Sequence, residues 1–261
     1  MSSQSSLVQF GGRRRPGPPA LVVVAHGSRD PRALRTVRAL LDGVREQRPG
    51  LPVHLGHIEL NEPLLTDTLA GLDASGTTDA VLVPLLLARG YHVKRDIPEM
   101  AAAARVRTRV ADPLGPHPLL VDALHTRLLE AGWPPAMTPQ ELRTRGVVLA
   151  AAGSRDPDSA TDTRRTAHLL AQRLGVPVIP AYASTATPTV PEAVRALSER
   201  GRDSVAIASC FTAPGRFATE SAAAAPWIAS APLGTHPAMA DLLLHRYDRA
   251  LERSDASNAA A

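Results

Sequence analysis

The chain has 261 residues, a net charge of +4 and one cysteine, Cys210. Three arginines, Arg13 to Arg15, supply most of that charge, so the rest is near neutral and gives little support to nucleic-acid binding. One cysteine excludes an internal disulfide and a cysteine-rich zinc site. No apolar run approaches the length of about 18 residues that a membrane span needs. We predict a cytoplasmic protein of about two domains, without nucleic-acid or membrane partners.

Apolar strands alternate with amphipathic helices along the first half of the chain. Residues 21–25 are typical of a buried parallel strand, and Asp30 followed by Pro31 favours the start of a helix. The same alternation predicts further strands at 53–60, 80–87 and 106–110, and helices at 63–72, 97–104 and 117–131. Such a pattern predicts an α/β fold, with a parallel sheet covered by helices on both faces.

The pattern then repeats after a proline-rich stretch. The sequence His-Gly-Ser-Arg-Asp-Pro at 26–31 returns as Ala-Gly-Ser-Arg-Asp-Pro at 152–157, again after an apolar strand. Further matches in the same order indicate an internal duplication, with two similar lobes. The predicted organisation is a disordered tail at 1–20, a first lobe at 21–132, a linker at 133–145, a degenerate second lobe at 146–253 and a disordered tail at 254–261.

Three reactive side chains of the first half are missing from the second. The aligned pairs are His26 with Ala152, Glu59 with Ser184, and His92 with Phe217. Because the signals of the fold survive while these side chains do not, we predict that any chemistry belongs to the first lobe. His117 and His236, in contrast, recur in both halves, which favours a structural role at a helix start.

The three side chains follow successive strands, and parallel strands end at one edge of a sheet, where ligands bind. Two neutral imidazoles and a carboxylate can hold a divalent transition metal and accept protons. His57 lies two residues before Glu59 on a predicted strand and could be a further ligand. Around the histidines, Ser28 could hold an anion at a helix start, and Arg29 and Arg89 could grip carboxylates. Alternatively, Ser28 would belong only to a structural turn, and Arg29 and Arg89 would be solvated surface charges.

Three ordered blocks resemble the sirohydrochlorin chelatase family, the ATP-independent class II chelatases. They are Val-Ala-His-Gly-Ser-Arg at 24–29, Ile-Glu-Leu-Asn-Glu-Pro at 58–63, and residues 83–93 followed by Asp-Ile-Pro at 96–98. The duplicated architecture is similar to the long, two-lobed members and covers residues 21 to about 250. The resemblance implies insertion of a divalent metal into sirohydrochlorin, a carboxylate-rich tetrapyrrole that sits between the lobes.

The family's two active-site histidines match His26 and His92, which the resemblance implies as metal ligands, and its acidic residue matches Glu59. We expect contacts with the substrate from Ser28, Arg29, Arg89, Gly90 and Tyr91. The resemblance implies no organic cofactor; Fe²⁺, Co²⁺ or Ni²⁺ would be a substrate, and the pathway would be that of sirohaem or of cobalamin. A complete two-lobed cleft favours a monomer.

Two other functions stay open at this point. The protein could bind the metal or the tetrapyrrole as a carrier, without turnover. A histidine phosphatase also begins with a strand that ends in His-Gly, but that family has an arginine before the histidine, where this chain has Ala25.

Overall fold

A computed structural model describes residues 17–259, and the side chains of residues 17–253. It contains two sheets, each of four parallel strands. The first sheet has the order β2-β1-β3-β4 and the second the order β6-β5-β7-β8. The strands are β1 (Ala20–Ala25), β2 (Val53–His57), β3 (Asp79–Pro84), β4 (Arg107–Val110), β5 (Arg145–Ala151), β6 (Val178–Tyr182), β7 (Ser204–Ser209) and β8 (Ile228–Ala229). The α/β fold class with two similar lobes is thereby confirmed.

Helices connect the strands and cover both sheets. They are α1 (Pro31–Gln47), α2 (Leu65–Ala74), α3 (Ile97–Ala102), α4 (Pro118–Glu130), α5 (Pro139–Thr144), α6 (Pro157–Leu174), α7 (Val190–Ser198), α8 (Arg216–Ala223) and α9 (Pro237–Ala259). Local chemistry explains their starts: the Asp30 side chain accepts a hydrogen bond from the Arg32 amide, and Pro31 occupies the first turn of α1. No helix within residues 17–259 is long and apolar enough to cross a membrane.

The last helix of each half packs on the other half. Helix α4 contacts α6 and β7 of the second sheet, whereas α9 contacts α1 and β3 of the first. One core cluster therefore includes buried residues of both halves, among them Leu21, Val83, Leu149 and Leu243. The lobes share this core, so the packed unit differs from the sequence repeat that the predicted boundaries follow.

The structure differs from the sequence expectations at several boundaries. Strand β2 ends at His57, three residues short of its predicted end. The predicted linker contains α5, because Thr138 and Glu141 form a reciprocal capping box around Pro139. Helix α9 continues to Ala259, past the predicted start of the C-terminal tail. Most of the predicted N-terminal tail, residues 1–16, and residues 260–261 lie outside the described residues.

Candidate active site

The three candidate side chains stand on loops at the edge where β1, β2 and β3 end. His26 follows β1 directly, Glu59 follows β2, and His92 lies in the loop after β3. The first two loops are joined by a hydrogen bond from the Glu59 amide to the His26 carbonyl, 3.1 Å long. Gly27 has a φ of +104°, and a Cβ there would lie 1.9 Å from the Glu59 carbonyl oxygen, so only glycine fits.

These side chains meet in space, as the sequence predicts. The rings of His26 and His92 have centroids 4.7 Å apart and planes at 88°. Nε2 of His26 lies 3.6 Å from Oε1 of Glu59. All three side chains are partly exposed, at 41% for His26, 54% for Glu59 and 36% for His92, so an ion could reach them from solvent. Within the described part of the chain, no three His, Cys, Asp or Glu side chains are already gathered as a metal-binding group.

A carboxylate that sequence reasoning missed holds His92. Oδ2 of Asp96 lies 2.5 Å from Nδ1 of His92, and Asp96 is about three-quarters buried. The two residues are four apart on a helical turn, a spacing that places side chains on one face. That spacing, together with the position of His92 in a candidate site, is the signal that could have found it.

His57 differs from the other candidates because it is buried. Only 1% of it is exposed, and its Nδ1 lies 3.1 Å from the Pro63 carbonyl oxygen. Burial lowers the pKa of this imidazole, which favours its neutral form. Because β2 ends at His57, the alternation used to place it beside Glu59 does not extend that far. The structure therefore gives His57 a structural contact, and its role as a ligand stays a prediction.

A cleft of about 1570 Å³ lies between the two lobes, and the histidines line one of its walls. The opposite wall comes from the second lobe and includes Phe211 and Phe217. All five residues expected to contact a substrate also line this space: Ser28, Arg29, Arg89, Gly90 and Tyr91. Arg29 is exposed there, and Tyr91 is 63% exposed. The cleft between the lobes that the family resemblance implies is thus present.

Two of the expected substrate contacts already have partners. The Ser28 amide donates to the Asn61 side chain at 2.7 Å, and its hydroxyl accepts from the Asp30 amide, so Ser28 builds the turn rather than an open anion site. Arg89 donates from Nε and Nη2 to the buried carboxylate of Asp162, at 2.9 and 2.7 Å. Arg89 therefore already pairs with a carboxylate of the second lobe, and its contact with a substrate stays a prediction.

Arg89 ties the two lobes together beside the cleft that it lines. Lys94 adds to this tether, because its ammonium lies 2.8 Å from Asp156 and 2.7 Å from Asp158 of the second lobe. The Lys94 contact lowers the pKa of Asp156, and the two carboxylates raise the pKa of Lys94. Sequence reasoning missed this pairing because the partners lie far apart in the chain.

The second lobe repeats the loop frame without the reactive side chains. Gly153 has a φ of +93°, and a Cβ there would lie 1.9 Å from the Ser184 carbonyl oxygen. The Ser184 amide donates to the Ala152 carbonyl at 3.0 Å. Both features match those at Gly27, Glu59 and His26, which supports the alignment of Glu59 with Ser184.

Fold and site together define a two-lobed α/β protein whose cleft presents two imidazoles and a carboxylate on one wall only. The CbiX family model matches residues 20–131 and again residues 146–250. The chain belongs to the CbiX family. The two matches coincide with the two halves of the duplication, so both halves derive from one family unit.

Relatives and solved structures agree with this assignment. The chain is 31% identical over 179 residues to the sirohydrochlorin ferrochelatase of Bacillus subtilis, covering 66% of each protein. It is 37% identical over 81 residues to the sirohydrochlorin cobaltochelatase of Methanococcus aeolicus, covering 31% of this chain and 57% of that one. The aligned segments thus span about two thirds or less of these relatives. A structure described as SirB from Bacillus subtilis with Fe³⁺ has a TM-score of 0.74 and 25% identity, covering 91% of this chain and 97% of that one.

Proposed function

We propose that this protein is an ATP-independent metal chelatase, a lyase that inserts a divalent metal into sirohydrochlorin. The observation that carries the proposal is the group formed by His26, His92 and Glu59 on one wall of a cleft large enough for an organic ligand. Membership of the CbiX family and relatives named as sirohydrochlorin ferrochelatase and cobaltochelatase support it.

The histidines would bind the incoming metal ion as neutral imidazoles. Fe²⁺, Co²⁺ and Ni²⁺ all accept nitrogen ligands of this kind, and the ion would exchange part of its water for them. Both rings are partly exposed, so a metal ion bound to them would face the cleft and could also bind the nitrogens of a macrocycle. The metal is a substrate in this scheme and leaves with the product.

Insertion requires that two protons leave the ring. A divalent ion replaces two pyrrole N–H protons, so the metallated ring and two protons are the products. Glu59 is placed to accept a proton, since its carboxylate lies 3.6 Å from His26 and is half exposed to the solvent that would carry the proton away. A histidine that has released the metal is a second acceptor. Ring and metal held in one cleft react without the entropic cost of a bimolecular encounter.

The cleft offers complementary contacts for a carboxylate-rich macrocycle. Arg29 is exposed on the first wall and Arg216 on the second, where each can pair with a carboxylate. Phe211 and Phe217 add apolar surface to the second wall, which suits the face of a conjugated ring. Tyr91 and Gly90 stand beside His92 at the rim. Both walls come from one chain, which supports a monomer; that state, a cytoplasmic location and the absence of nucleic-acid partners stay predictions.

Turnover by the purified protein tests the proposal. Under anaerobic conditions, sirohydrochlorin and Fe²⁺, Co²⁺ or Ni²⁺ are mixed with enzyme, and visible absorbance follows the metallated product. We expect many turnovers per protein, and the relative rates decide between the sirohaem and cobalamin pathways. A single equivalent of product would indicate a carrier. Hydrolysis of a generic phosphoester with no metal insertion would indicate a phosphatase.

A further inference from the structure

His92 and Asp96 form a hydrogen-bonded pair whose purpose the site chemistry alone does not explain. Nδ1 of His92 lies 2.5 Å from Oδ2 of Asp96. An ionised carboxylate only accepts hydrogen bonds, so Nδ1 must carry the proton. In a neutral ring this leaves Nε2 without a proton and with a lone pair that can bind a metal. The pair therefore fixes which ring nitrogen is available.

The backbone around this pair is unusual. Residues His92–Asp96 form a single π-helical turn, in which the Ile97 amide donates a hydrogen bond to the His92 carbonyl. Pro98 follows one residue later and has no amide hydrogen to offer, while its ring crowds the carbonyl four residues before it. The widened turn therefore accommodates Pro98 within a continuous helical path into α3. Isolated π-turns of this kind are frequent at functional sites.

The second half of the chain shows what remains when the histidine is absent. Phe217 stands where His92 does, and Ser221 follows Phe217 by four residues, as Asp96 follows His92. Residues Arg216–Ala223 form the ordinary α-helix α8, and an alanine replaces the proline. Ser221 is 3% exposed, and its hydroxyl has no hydrogen-bond partner among the described residues. Histidine, carboxylate and π-turn are thus present together in one half and absent together in the other.

We propose that Asp96 is a positioning residue that holds His92 in the Nδ1–H tautomer and fixes its ring, so that Nε2 points to the incoming metal. The inference rests on the proposed function for its purpose, but the tautomer and the metal affinity can be measured without turnover. Carboxylates that accept from a metal-binding histidine orient the ring and raise its basicity, and their loss weakens metal binding by about 10–100-fold.

The tautomer is the direct test. Nitrogen-15 NMR of the metal-free full chain, with the His92 signals assigned by their absence from His92→Ala, should show a protonated Nδ1 in the wild type. In Asp96→Ala the His92 ring should populate the Nε2–H tautomer, while His26 keeps its signals. A ring that stays in the Nδ1–H form in Asp96→Ala would overturn the inference.

Metal affinity is the second readout, with Co²⁺ as the probe. We expect Asp96→Ala to bind Co²⁺ about 10–100-fold more weakly. Asp96→Asn should lose less, because its amide oxygen still accepts from Nδ1. Ser221→Ala, the matched change in the other half, should bind as the wild type does. If Asp96→Ala does not fold, as judged by circular dichroism, Asp96→Leu, which also has no acceptor for Nδ1, carries both measurements.

The outcomes separate this inference from the proposed function. Wild-type protein that inserts no metal, yet shows the expected tautomer and Co²⁺ affinities, refutes the chelatase and leaves the positioning role standing. An active wild type, with tautomer and affinity unchanged in the Asp96 variant that lacks an acceptor, refutes the positioning role alone.

Discussion

The two walls of the cleft place different side chains on the same backbone frame. In both halves a glycine with positive φ packs against the carbonyl of the next loop, and a backbone hydrogen bond from amide to carbonyl joins the two loops. His26 and Glu59 stand on this frame in the first half, whereas Ala152 and Ser184 stand on it in the second. The comparison separates the residues that the fold needs from those that only the chemistry needs.

The two lobes also contribute opposite charges to the contact between them. The first contributes Arg89 and Lys94, and the second contributes Asp156, Asp158 and Asp162. The second lobe has therefore lost the reactive groups but holds a partner surface for the first. Its contribution is to close the cleft and to hold the first wall in place.

The largest effect should come from making the first wall resemble the second. The double variant His26→Ala, His92→Ala removes both imidazoles, and we expect metal insertion to fall to the uncatalysed rate. Anaerobic absorbance assays measure this. His168→Ala, which changes an exposed histidine that does not line the cleft, is the matched control and should be fully active. Full activity in the double variant would refute the assignment of the site.

The reverse change should give the second wall a metal site. The variant Ala152→His, Ser184→Glu, Phe217→His places the three side chains on a frame that already has the required geometry. We expect the number of Co²⁺ ions bound per chain, measured by titration and metal analysis, to rise from one to two. Adding Ser221→Asp should tighten the second site. A correctly folded variant that still binds one ion would show that the frames are not equivalent.

Breaking the contact between the two lobes should lower the stability of the protein. Arg89→Met leaves the carboxylate of Asp162, whose side chain is 5% exposed, without its charged partner. We expect the free energy of unfolding in urea to fall by about 2 kcal/mol, less than for a fully buried pair because the arginine is half exposed. Arg105→Met is the control and should change stability little. Arg105 is 88% exposed, and its contact with Asp73 is long, at 3.9 Å. Equal unfolding curves for the two variants would argue against the tether.

A dependence of stability on pH should come from a histidine that both halves keep. His117 begins α4 with its Nδ1 accepting from the Leu119 amide, and His236 does the same for Ala238 at α9. Burial, with help from Arg246 and His245, lowers the pKa of His117 to about 4. The unfolded chain therefore binds more protons between pH 6.5 and 4, so this group lowers stability as the pH falls through that window.

Thermal or urea unfolding at pH 7 and pH 4 measures this dependence. The contribution of His117 is up to about 3 kcal/mol, since one pKa unit corresponds to about 1.4 kcal/mol. His117→Asn keeps a side-chain acceptor at the helix start but does not titrate, so it should lose less stability on acidification than the wild type. An equal loss of stability on acidification in both proteins would contradict the assignment of this pH dependence to His117.

The sequence predicts the parts of this molecule that depend on local pattern. Apolar runs and cap residues locate the strands and α1, and because parallel strands end at one edge, they bring His26, Glu59 and His92 together. The capping box at Thr138 and Glu141 was also readable, although the prolines around it suggested a linker. The strand alternation that related His57 to Glu59 ends at His57, because such a two-residue pattern holds only while the strand lasts.

Long-range pairings could not be predicted in the same way. Arg89 and Asp162 are 73 residues apart, and nothing local selects one carboxylate over another. The apolar faces of α4 and α9 show that these helices are buried, but not that each packs on the other half. The π-turn at His92 arises from the combination of Pro98 with a helix that continues through it, which a helical pattern alone does not reveal.

The central claim is that one wall of the cleft binds the metal and the other does not. A crystal of the wild-type protein grown with Co²⁺ tests it, because anomalous scattering locates cobalt independently of any assumption about ligands. The structure predicts a single strong peak within coordination distance of His26 and His92, and none between Ala152 and Phe217. A peak elsewhere in the cleft, or none beside the two histidines, would contradict it.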